Sequence, residues 1–275
     1  MVIELLRTFL EVNRTRHFGR AAENLHVGQS TVSARIRQLE ERVGTPLFTR
    51  QRNDIELTAA GLKLLPYAES LVANWQRVRQ ELMAAAGTRT LMVGGVPSLW
   101  GPLLLDWVAR ALAHDDRLSL NVESLSPEAI ARRLSSGSLD LAFAFDPVSV
   151  AGVVAREVAR LELVLVSSRP VTSVEAAMQH YIYVDWGTAF SRAHAEHFPV
   201  MAPPRLRLST GRLAQDYLAQ HPGSAYLAAG GLEPLIAAGD IFCVPAAPVI
   251  SRGVYALYPE TGIERDLVER LLERF

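Results

Sequence analysis

Residues Phe18 to Gly44, FGRAAENLHVGQSTVSARIRQLEERVG, restrict this chain more than any other stretch. Two short helical patterns meet at a tight break. The first runs from Gly19 to about Leu25, with Ala21 and Ala22 as small residues. The second starts at Gln29, after Gly28, and runs to about Val43; Gly44 stops it and Pro46 forbids continuation soon after. Val32, Ile36, Leu39 and Val43 recur at spacings of three and four, which gives the second helix one apolar stripe. The other face carries Ser30, Ser33, Ala34 and Arg37, flanked by Gln29, Thr31 and Arg35, with no acid before Glu40. A short, polar, positive face on the second of two helices is what a helix-turn-helix needs to enter a DNA major groove. Small polar residues permit close approach, and Gln and Arg supply the paired hydrogen bonds that distinguish base pairs. Taken alone, the stretch also fits a helical hairpin in an ordinary all-α domain with a solvated face.

The charge distribution separates these two readings. Net charge is −1, yet residues 1–90 hold 13 Arg and Lys against 9 Asp and Glu, while the remainder holds 15 against 20. A basic first part on an acidic remainder points to a polyanion met by the first part only. A length of 275 residues is enough for two domains, and 49% hydrophobic with 21% charged residues suits a globular protein. No apolar run approaches the roughly 20 residues of a membrane span, so no membrane partner is expected. With no basic-then-apolar leader at the start, the expected location is the cytoplasm, at the nucleoid. One cysteine, Cys243, excludes an internal disulfide and a multi-cysteine metal site.

Before the central stretch, Val2 to Arg14 reads as a helix that packs behind the other two. After it, TPLFTRQRNDIELTAAG reads as a small hairpin, a wing, with Arg50 and Arg52 at its tip for phosphate or minor-groove contact. Thr58 is an N-cap for a helix from Ala59 to about Ala86, apolar at Leu62, Leu65, Leu71, Val72, Trp75, Val78 and Leu82. Such a helix is too long to bury its stripe on a three-helix domain, so it pairs with a second copy or a neighbouring domain. Pro66 inside it is expected to kink it or mark a break. Beyond Gly87, nine strand-like runs alternate with helical ones, from Thr90–Gly94 to Gly253–Tyr258, and a helix over Ile263–Arg274 closes the chain. This alternation predicts an α/β domain with largely parallel sheets, whose ligands bind at strand ends near helix N-termini.

The run AAENL…QSTVSARIRQLEERVGTPLFTR…LTAAG resembles the DNA-binding domain of the LysR-type bacterial transcriptional regulators, over residues 1–66. RTRHFGRAAENL, LLPYAE and YVDWG, the last at Tyr183 to Gly187, are most similar to the HdfR-type branch. The resemblance implies an α+β multi-domain chain: a winged helix-turn-helix over residues 1–58, a dimerising linker helix over 59–87, and a periplasmic-binding-protein-like α/β effector domain of two subdomains over 88–275. It implies an operator in double-stranded DNA, a homodimer or homotetramer, a small-molecule effector, and RNA polymerase as a further partner. DNA contacts fall on Gln29, Ser30, Ser33, Arg37, Arg50 and Arg52. Gly28 and Ala34 depart from the family pattern, since larger polar residues are common there; Ala34 offers a base only a methyl contact.

In the second half the resemblance is one of layout. The loop GGVPSLWG starts a helix at Ser98, where backbone N–H groups and the hydroxyl offer an anion site. Asp185, Trp186 and Thr188 follow a strand, and Ser209 and Thr210 precede a helix. Ser98, Trp186, Thr188 and Thr210 are the candidate effector residues; the alternative for each hydroxyl is a helix cap. The domain is short for the family, with one helix beyond Tyr258, which suggests a shortened or occluded cleft.

No enzyme signature accompanies these features. There is no G-x-x-x-x-G-K-S/T, no G-x-G-x-x-G after a strand and no G-x-S-x-G. No cofactor is expected. His194 and His197 are read as solvent-exposed histidines rather than metal ligands, and Cys243, in IFCVP, as a small packed hydrophobe. The expected function is a sequence-specific DNA-binding regulator that senses a small molecule. The alternatives are a regulator acting without a ligand and a ligand-binding module with a helical appendage.

Overall fold

In the computed structural model, Leu5, Leu6, Phe9 and Val12 form the buried side of α1 (Val2–Thr15). The structure describes residues 2–51, 54–83, 87–200, 202–262, 264–273 and 275. It divides into two compact units, Met1–Arg89 with Ser136–Ser138, and Thr90–Ser135 with Leu139–Phe275.

In the first unit, α2 (Phe18–Asn24) and α3 (Gln29–Val43) pack on α1 and on each other. His17 caps α2: its Nδ1 accepts from the N–H groups of Gly19 and Arg20 at 3.0 and 3.2 Å. Gly44 ends α3 in the left-handed region, at φ 78°, and its N–H donates to Glu40 O at 2.8 Å, a C-cap that favours glycine. The wing is β1 (Phe48–Gln51) paired antiparallel with β2 (Asp54–Leu57). Phe9 lies 5.3 Å from Phe48 between ring centroids and joins the wing to the same core.

The linker helix α4 (Ala59–Met83) starts at Thr58, whose hydroxyl accepts from Gly61 N–H at 3.0 Å. Ala84 to Ala86, where the sequence predicts its end, lie outside the described residues. The helix runs unbroken through Pro66. Proline removes one N–H, and the packing of Ala68 and Val72 in the core beside α1 holds the flanking turns together. Gly61 permits the approach of α4 to the wing, because a Cβ there would stand 2.3 Å from Leu47 O.

The second unit proceeds through β3 (Arg89–Gly95), α5 (Pro97–Leu99), a π-helical turn (Trp100–Leu104), α6 (Leu105–His114), β4 (Leu118–Ser124), α7 (Pro127–Ser135) and β5 (Leu141–Ala144). It continues through β6 (Val153–Ser167), α8 (Val174–Met178), β7 (Ile182–Val184), α9 (Thr188–His197), β8 (Leu206–Leu208), α10 (Gly211–Leu218) and β9 (Ser224–Ala228). α11 (Glu233–Ala238), β10 (Phe242–Cys243), β11 (Ile250–Pro259) and α12 (Arg265–Leu272) complete it.

All nine expected strands form, but the expected largely parallel arrangement does not. β3 with β5 and β7 with β8 are parallel. β11 runs antiparallel to β5 and β6, and β6 antiparallel to β9 and β10. β6 carries the chain out of the first lobe and β11 carries it back, so the two paired strands run in opposite directions. The pairing divides the unit into two lobes. β11 and the first part of β6 extend the sheet of β3, β4 and β5; the last part of β6 carries β9 and β10. β6 and β11 therefore run through both lobes, with a register shift at Val254/Tyr255.

Candidate nucleic-acid interface and ligand cleft

Burial on α3 follows its sequence pattern over three turns. Val32, Ile36 and Leu39 are buried, which forces the remaining faces outward. Gln29, Ser30, Thr31, Ala34 and Arg37 are exposed and Ser33 is half-buried. Val43, expected in the apolar stripe, is 45% exposed, because the chain turns away at Gly44 before anything covers the last helical turn. Arg35 leans back to α1, with Nη1 3.4 Å from Thr8 Oγ1 and 3.9 Å from Glu4 Oε2. Arg37 has no hydrogen-bond or ion-pair partner among the described residues. The structure thus gathers Gln29, Ser30, Ser33 and Arg37 on one side of α3, with the Arg37 guanidinium exposed.

The wing is tied to this helix by a residue whose role the sequence did not reveal. Leu47 and Phe48 N–H groups donate to Glu40 Oε1 at 2.8 and 3.4 Å. Arg16 adds a bond to Ile55 O at 3.1 Å. Arg50 lies in β1 opposite Ile55, and Arg52 lies outside the described residues. Glu11 is consumed in the same way: Arg14 and Asn24 both donate to it, and the Arg14 hydrogen bond above all holds its carboxyl below the usual range.

In the second unit, a cleft of about 690 Å³ opens between the lobes. The short stretch after Tyr258 therefore does not occlude it; the closing helix α12 packs at β11, and Leu271 O lies 3.4 Å from Trp107 Nε1 on the far side of the first lobe. Ser98, Thr188 and Ser209 line the cleft, as do Glu128, Asp146 and Asp185. α5 is three residues long, and the buried Ser98 hydroxyl donates to Ser209 O at 3.3 Å. Trp186 is a core residue, 1% exposed, with Nε1 donating to Tyr226 O at 2.9 Å; its contact with Ser98 is through a smaller cavity of about 180 Å³. Thr210 lines neither cavity and caps α10, accepting from Leu213 N–H at 3.3 Å.

The carboxylates are each positioned by the fold. Asp146 follows β5, and Asp185 follows β7 and accepts from Gly187 N–H at 2.9 Å. Glu128 stands in the first turn of α7, where the Ser126 hydroxyl and its own backbone N–H lower its pKa. Beneath them lies Arg252, 4% exposed. Its Nε donates to Trp186 O at 3.0 Å, and its Nη2 to Asp146 Oδ1 at 3.1 Å and Phe145 O at 3.4 Å. Gly187, at φ 86°, makes room: a Cβ there would lie 3.0 Å from Arg252 Nη2. Arg252 was legible in principle, because Ile250, Arg252, Val254 and Ala256 share the buried parity of β11.

Two further expectations are corrected. His194 is buried, 4% exposed, stacked on Tyr181 at 5.2 Å, and its Nε2 has no hydrogen-bond partner among the described residues. Burial depresses its pKa to about 4, with His197 and Arg207 adding to the effect. α9 turns this residue inward beside Phe190, while His197 stays outside. Cys243 is exposed rather than packed, because the edge strand β10 presents alternate residues to solvent.

A winged helix-turn-helix, a long helix and a two-lobed α/β domain are together the parts of a DNA-binding transcriptional regulator. The chain belongs to the LysR family of transcriptional regulators. Residues 3–62 match the bacterial regulatory helix-turn-helix protein, lysR family, and residues 84–275 match the LysR substrate binding domain. It is 35% identical over 276 residues to the HTH-type transcriptional regulator HdfR of Escherichia coli O139:H28, covering 99% of this chain and 97% of that protein. Full-length CbnR, a LysR family transcriptional regulator, shares the fold at TM-score 0.76 and 17% identity, over 100% of this chain and 99% of CbnR. CbnR complexed with its target DNA gives TM-score 0.72 and 16% identity at the same coverage. The activity is therefore regulation of transcription through DNA, not enzymatic turnover.

Proposed function

We propose that residues 1–58 read an operator, residues 59–87 pair two copies of the chain, and residues 88–275 bind a small effector between their lobes. Gln29, Ser30, Ser33 and Arg37 read base edges, while Arg50 and Arg52 hold phosphates or the minor groove. The open, cationic face of α3, opposite the buried Val32, Ile36 and Leu39, carries this reading. Leu71, Trp75, Val78 and Leu82 of α4 follow heptad spacing, and Leu82 is 81% exposed; that row supports a homodimer, which a homotetramer then doubles. The cleft, with Ser98 and Thr188 on its walls, supports an effector that changes the separation of the two reading helices. The regulator works in the cytoplasm, on the nucleoid, and meets RNA polymerase at its target promoters.

The test begins with genome-wide mapping of bound sites, followed by footprinting on one of them. Arg37→Ala weakens binding about 10- to 100-fold, and Ser33→Asp, which sets a carboxylate against the DNA, weakens it roughly 100-fold or more. Both variants keep the melting profile and the oligomeric state. Unchanged footprints from both would sink the reading.

A further inference from the structure

We infer that the ligand of the cleft carries positive charge: a small molecule bearing an amine or guanidine group. This rests on the reading of the cleft as the effector site and adds the sign of the ligand's charge. The site is the cavity itself, about 690 Å³ between the lobes; the charge of its walls selects what enters. Three carboxylates, Glu128, Asp146 and Asp185, line it from three different segments. None of the lining residues is basic. Arg252, bonded to Asp146, is buried and also committed to Trp186 O and Phe145 O, so it offsets one of the three carboxylates and leaves two.

Two helix starts at the cleft already carry a carboxylate. At α7 the first turn holds Glu128 itself. Ahead of α9, Asp185 accepts the Gly187 N–H. A ligand carboxylate or phosphate would therefore meet like charge with no basic side chain in the lining, which is unfavourable. An ammonium or guanidinium meets the reverse: carboxylates able to accept charge-assisted bonds, beside the carbonyl-rich ends of β5 and β7.

The test uses the full chain and four probes of similar length: 1,4-diaminobutane, agmatine, adipate and 1,4-butanediol. Calorimetry and thermal shift are expected to show saturable binding of the diamine or agmatine and none of adipate or the diol. Glu128→Gln and Asp185→Asn each weaken that binding roughly ten-fold, the loss of one charge-assisted bond. Both substitutions keep the shape of the side chain, and asparagine retains the oxygen that accepts the Gly187 N–H. Asp240→Asn, at an exposed acid outside the cleft lining, leaves it unchanged. Adipate binding in place of the amines, with loss in Thr188→Trp, overturns the charge assignment and keeps the cleft as the effector site. Amine binding weakened equally by all three neutralising variants is nonspecific attraction to an acidic domain and also overturns it. No binding of any probe, in the parent or in the neutralised variants, overturns the charge assignment and the effector reading together, while footprinting judges the DNA reading separately.

Discussion

The DNA-reading head and the cleft domain handle charge in opposite ways. The head displays an arginine and commits two of its carboxylates internally. Arg37 stands free on α3, while Glu40 is spent on the wing's N–H groups and Glu11 on Arg14 and Asn24. The cleft domain hides an arginine and displays carboxylates: Arg252 is spent on backbone carbonyls and Asp146, while Glu128, Asp146 and Asp185 line the opening. Overall composition is nearly balanced, so neither surface follows from net charge. What each surface attracts is decided by which sign of charge the fold consumes internally.

The sharpest way to break this contrast is to remove the hidden arginine. Arg252→Leu is expected to cost about 3–5 kcal/mol, because it strands the Trp186 and Phe145 carbonyls and unpairs Asp146. The loss shows in denaturant unfolding of residues 90–275 and spares DNA footprinting by the head. A cost below about 1 kcal/mol would mean that Arg252 is not the internal counter-charge.

A second probe separates the units by pH. His194 is held neutral, its pKa near 4 in the folded state against about 6.5 when unfolded. Below pH 6.5 the unfolded chain takes up a proton that the folded chain refuses. Stability therefore falls by up to about 3 kcal/mol between pH 6.5 and 4, and above 6.5 this residue contributes no slope. The expected signature is a steeper acid loss in the parent than in His194→Phe, confined to the cleft domain. Equal slopes in the two proteins would refute the assignment.

The smallest effect belongs to the head. Glu40→Ala frees the Leu47 and Phe48 N–H groups and is expected to cost about 1–2 kcal/mol and to weaken footprints without altering the bases protected. A shift in the protected bases would instead make Glu40 part of the reading surface.

Much of this was legible beforehand, for identifiable reasons. Apolar spacing placed every helix of the head, and turn residues such as Gly44 and Thr58 act as read. The strands of the second half emerge where β-branched and apolar runs stand. Their direction did not, because it depends on which strands pair, and β6 pairs with β11, far off in the chain. Side-chain roles that depend on distant partners were also hidden. His194 looks polar in sequence but is surrounded by Tyr181, Phe190, Phe198 and Tyr226. Asp146 gave a quieter signal: an acid directly after the apolar run LAFAF marks the carboxyl end of a buried strand, where α/β sites form.

The long strands β6 and β11 also have a mechanical meaning. They act as a torsion bar on which both lobes are mounted. Such a bar is stiff to extension and yields to twist, since two-stranded ribbons take up strong twist readily. Twist between the lobes is therefore carried along this bar, whose one irregular point is the register shift beside Val254, two residues from Arg252.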